Sequence, residues 1–97
     1  MSKSDYQMEI IRIIRNHREA IGWGQKNVAS FLGISIGHVG SIESPRFPHK
    51  YTLNQLNKLC QKFGMPTEQL FIPDEAYMED NINITELLIN KICEYED

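Results

Sequence analysis

Three observations predict an all-helical chain. Apolar residues return at spacings of three and four in separate stretches, and no alternation of apolar and polar residues lasts long enough for a strand. Gly22, Gly24, Gly33, Gly64 and Pro73 punctuate those stretches. At 97 residues the chain suits one domain with a thin core.

The first helix is predicted over 5–21, where Ile10, Ile14, His17 and Ile21 share a face flanked by Ile11, Ile13 and Arg18. Ser4 or Asp5 can cap its start, and Gly22 and Gly24 end it. A short second helix over 25–32 carries Val28, Ala29 and Leu32 on one side. Gly33 then turns the chain. Ser35 can cap a third helix running to Glu43, with Val39 and Ile42 inward. Residues 44–51 are a loop marked by Pro45 and Pro48, with Phe47 as a lid over the core. Thr52 and Gln55 fit a capping box for a fourth helix whose stripe is Leu53, Leu56, Leu59, Cys60 and Phe63. Thr67 can cap a fifth, very short helix through Phe71, which Pro73 ends. An acidic linker over 74–81 then leads to an amphipathic helix over 82–95, with Leu88, Ile92 and Tyr95 in register. This divides the chain into 1–73 and 74–97.

Charge is unevenly spread. Residues 1–67 carry nine Lys and Arg against four acids, a net of +5, whereas 68–97 carry one Lys against nine acids, a net of −8. The basic part can face a polyanion, and the tail points elsewhere or competes with it. No apolar run approaches membrane-spanning length and no secretory signal is visible, so a cytoplasmic protein without a membrane partner is expected. Cys60 and Cys93 lack metal-ligand spacing and read as small, reduced core residues. His17, His38 and His49 fall on different elements without a paired carboxylate or cysteine, so no enzyme, metal or cofactor is expected.

The spacing Gln25, Ala29, Gly33, Ser35, Val39, Ile42, Glu43 resembles the helix-turn-helix family of phage repressors and Cro proteins, the XRE type. Tyr51 to Leu56 resembles the fourth helix of that family, and Gly64 to Phe71 its closing short helix. The likeness covers residues 8–73. It implies a lambda-repressor-like domain of five helices, here followed by a C-terminal amphipathic helix, and a dimeric regulator of transcription on double-stranded DNA. Arg18 stands where the family has a helix-1 arginine, which implies a buried ion pair with Glu43. Phosphate contacts would come from Gln25 and Lys26 at the start of the second helix and from Arg46, His49 and Lys50 in the loop. Base reading would fall to Ser35, Ile36, Gly37, His38, Gly40 and Ser41.

The third helix departs from its relatives because no Arg, Lys, Gln or Asn lies between Ser35 and Glu43. The bidentate base contacts that supply most discrimination are therefore missing from it. A protein-interaction module on the same fold, such as an antitoxin or an adaptor, stands as the alternative. The tail has three open uses: packing on its own domain, pairing in a homodimer, or docking on a protein partner through residues 82–95.

Overall fold

The computed structural model describes residues 2–97. It contains five α-helices and two 3₁₀ turns, and no strand among the described residues. α1 spans Asp5–Ala20, α2 Gln25–Leu32, α3 Ile36–Glu43, α4 Leu53–Phe63 and α5 Ile84–Glu96. The 3₁₀ turns are Thr67–Leu70 and Asp74–Met78. No helix among the described residues is long and apolar enough to cross a membrane.

The helix ends follow from side chains that satisfy free backbone groups. Ser4, rather than Asp5, caps α1. Its Oγ accepts from Gln7 N at 3.1 Å, while Gln7 Oε1 accepts from Ser4 N at 3.0 Å. Thr52 and Gln55 form the same reciprocal pair at the start of α4, at 3.1 and 2.9 Å. α2 and α4 stop at Gly33 and Gly64, whose φ values of 71° and 74° lie in the left-handed region. A side chain there would be strained, so both helices end where glycine occurs.

The core gathers Ile10, Ile11 and Ile14 of α1, Val28 and Ala29 of α2, Val39 and Ile42 of α3, and Leu56, Leu59 and Cys60 of α4. α2 and α3 make the most extensive helix–helix contact, with the small Ala29 side chain buried among the core residues. Burial pushes the Cys60 thiol up to about 11, which keeps it protonated and inert.

Several expectations are corrected. Ile21 and Leu53 are exposed, because Ile21 lies beyond the last turn of α1 and Leu53 opens α4. Phe47 is exposed rather than a lid, and its ring stacks on His49 at 6.3 Å. Cys93 faces outward and takes no part in the core. Thr67 does not cap its turn; its hydroxyl donates instead to Asn57 Oδ1 of α4 at 2.7 Å. The acidic linker is partly ordered, since Pro73 leads into the 3₁₀ turn Asp74–Met78, which buries Ala76 and leaves the acids outside. Asn83 caps the last helix, accepting from Glu86 N at 3.1 Å.

The largest departure concerns where the core ends. The family likeness stops at residue 73, yet Tyr95 of α5 is 0% exposed and lies in the same core cluster. Its hydroxyl donates to Tyr51 O at 2.7 Å, and its ring meets Phe71 edge-on at 6.0 Å. Gln7 Nε2 donates to Tyr95 O at 2.7 Å. α5 thus packs against α1 of its own chain, with Leu88 and Ile92 half-buried on the core. Ile89 remains outside, 55% exposed.

Candidate nucleic-acid interface

A buried polar network sets the geometry of α1, α2 and α3. Arg18 Nε and Nη2 donate to the two carboxylate oxygens of Glu43 at 2.8 and 2.7 Å, a two-pronged ion pair. The two side chains are only 8% and 5% exposed. Arg18 Nη1 donates to Trp23 O at 2.9 Å, fixing the chain between α1 and α2. Gln25 Nε2 donates to Glu43 Oε1 at 3.0 Å, tying the start of α2 to the end of α3. Burial pushes the Glu43 carboxyl upward, but the hydrogen bonds from Arg18 and Gln25 outweigh it and hold the group below its usual range.

The outer side of this unit carries exposed residues of α3, of the first turn of α2 and of the loop after α3. Ser35, Ile36 and Gly37 open α3 and are exposed, and Ile36 is half accessible at 50%. His38 is half-buried and lies 5.4 Å, ring centre to ring centre, from His49. That contact joins the face of α3 to the 44–50 loop, where Arg46, Phe47 and His49 are exposed. Lys26 is exposed at the first turn of α2. Trp23, just before α2, sits edge-on to Phe31 at 5.5 Å and Phe63 at 6.4 Å, with Lys62 Nζ 5.3 Å above its ring.

Other side chains expected at the interface have internal partners. Ser35 Oγ accepts from His38 N at 3.0 Å as the cap of α3, and Ser41 Oγ donates back to Gly37 O at 3.0 Å. Gln25 is held by Glu43, as described. Lys50 departs furthest from the expected role: its ammonium donates to Tyr95 O at 3.0 Å and Glu96 O at 2.8 Å, capping α5. The two helical glycines differ. A Cβ at Gly40 would sit 3.6 Å from Gln25 Oε1, an ordinary contact, and one at Gly37 would meet nothing.

Comparison with protein-family models, curated proteins and solved structures finds no match to the chain.

One residue that sequence reading passed over is Lys3. It is 8% exposed, and its ammonium donates to Ser41 O at 3.2 Å, Ser44 O at 2.6 Å and Phe47 O at 2.6 Å. The available signal was the pair Ser44-Pro45 and Phe47-Pro48. A residue before proline is pushed to extended backbone, which swings its carbonyl away from helical pairing and leaves it seeking a donor.

Proposed function

We propose that the protein is a repressor-like helix-turn-helix regulator that binds double-stranded DNA with some sequence selectivity and acts as a homodimer. The observation that carries this reading is the α2–α3 unit. Glu43, Arg18 and Gln25 lock it from behind, and the open face of α3 runs into a loop bearing Arg46 and His49. In this reading α3 enters the major groove, where Ile36 meets a thymine methyl group. Lys26, Arg46 and the first-turn N–H groups of α2 hold phosphates. Gly37, which the chain itself does not require, allows close approach of the helix to DNA.

Fluorescence titration against random and host-derived duplexes at several salt concentrations tests the proposal. Binding should weaken steeply as salt rises, because each phosphate contact releases counterions. Absence of binding at low salt overturns it. Gly37→Ala supplies a second arm. It should stabilise the free protein by up to roughly 1 kcal/mol, since alanine favours helix there, yet weaken DNA binding. Unchanged or stronger binding removes the close-approach role.

A second reading is favoured by a specific feature: the surface contains two exposed apolar side chains, Ile36 and Phe47, and α3 contributes no cation to it. Such a face suits a protein partner, as in an antitoxin or adaptor. Co-purification from the native host with and without nuclease separates the readings. A stoichiometric protein that survives nuclease favours the second.

A further inference from the structure

Lys3 is a buried cation without a carboxylate. Among the described residues its charge is met only by the three carbonyls, and no acid lies within ion-pair distance. An ammonium carries three N–H donors, and all three are used. Two of the acceptors lie at the C-terminal end of α3, where the helix dipole favours positive charge: Ser41 O, which also accepts from Ser44 N at 3.3 Å, and Ser44 O. The third, Phe47 O, belongs to the loop. Ser44 and Phe47 both precede proline, and Ser44 has the extended φ and ψ of −87° and 136° that such a position favours. Its carbonyl therefore leaves the axis of α3 and turns toward Lys3. The loop is drawn inward by its carbonyls while Arg46, Phe47 and His49 are exposed.

We propose that Lys3 is a positioning residue of the nucleic-acid face: its ammonium gathers the carbonyls of Ser41, Ser44 and Phe47 and so fixes the loop that presents Arg46 and His49. This rests on the DNA-binding reading for its consequence, but not for its structural half. The clip has a second effect. Because no acid neutralises Lys3, its charge adds to the positive potential beneath the loop and attracts the same phosphates.

The test uses the full chain with Lys3→Met, which keeps length and bulk but removes charge and donors. Nuclear magnetic resonance should show the amide signals of Ser44, Arg46, Phe47 and His49 shifted or broadened, with those of α4 unmoved. Duplex affinity at low salt should fall roughly tenfold, and the slope of log affinity against log salt should shrink by about one contact. A purely structural role would lower the melting temperature yet leave the affinity and salt slope of the folded protein unchanged. Rescue uses Lys3→Cys in a Cys93→Ser background, converted with bromoethylamine to an aminoethyl side chain of lysine length. It should restore the loop signals and the salt slope together. Should Lys3→Met not fold, the ammonium nitrogen signal of Lys3 in the unaltered protein decides. Slow proton exchange, unlike that of exposed Lys58, supports the clip, and exchange as fast as Lys58 overturns it. Unmoved loop signals, or unchanged affinity and slope, overturn the proposal. A wild-type protein that ignores DNA while Lys3→Met disturbs the loop overturns the functional reading and leaves the clip standing.

Discussion

At the scale of single residues, Glu43 carries more than any other side chain, because one carboxylate serves three elements. Replacing it with glutamine leaves Arg18 buried and uncompensated, which costs about 3–5 kcal/mol in comparable cases. Chemical denaturation of Glu43→Gln checks this, and a loss below about 0.5 kcal/mol contradicts the burial. The pH dependence has a definite sign. Glu43 is held below its unfolded value, so the folded state binds fewer protons in acid and stability rises with pH. The contribution is complete above the ordinary value of 4.5 and is lost as pH falls through the lowered one. The Glu43→Gln protein should therefore show a flatter stability profile below about pH 5. Part of this network was legible in the sequence, because Arg18 and Glu43 hold positions that a family likeness connects. Lys3 was not legible, since a lone lysine ahead of a helix resembles any solvated charge until the two carbonyls before proline are placed around it.

At the scale of elements, the first four helices were readable because each joins an apolar stripe to a cap or a glycine stop. The last helix was readable as a helix, but its destination was not. Periodicity marks an apolar face without naming the surface that covers it, and Tyr95 has the tyrosine composition of an interface as much as of a core. In the structure the hydroxyl of Tyr95 supplies a buried bond that the Tyr51 carbonyl receives. Tyr95→Phe should accordingly destabilise the protein by about 1–3 kcal/mol, the range for stranding a buried polar group. Thermal melting gives the size, and hydrogen exchange should show the amides of α5 losing the most protection. A neutral substitution would mean that the Tyr95 hydroxyl bond to Tyr51 O contributes little to stability. The pairing spans 44 residues, and that of Gln7 with Tyr95 spans 88. Docking of α5 therefore closes the longest loops in the chain, which costs entropy before any contact forms.

At the scale of the whole molecule, a core shared by both ends of the chain changes what is left for self-association. With Tyr95 turned inward, Ile89 on the outer side of α5 is a large apolar residue of that helix still open to a second copy. The proposed homodimer predicts a dimer in sedimentation equilibrium at about 100 µM, far above the concentrations at which regulators grip DNA. Ile89→Glu should weaken it if α5 forms the two-fold contact. A wild-type monomer at that concentration removes the dimer, and a dimer indifferent to Ile89→Glu moves the interface off α5. The uneven charge of the sequence also finds a place in the structure: Lys50 of the loop grips the end of the acidic α5, so the two oppositely charged parts of the chain meet. Trp23 has a use of another kind. It is the only tryptophan, half-buried, with a cation over its ring and its carbonyl tied to Arg18, one glycine ahead of α2. The molecule thus contains an optical reporter. Excitation of indole alone reads the junction of α1 and α2 without an attached label, so its emission can follow both the melting of the Arg18 network and the arrival of a ligand at α2.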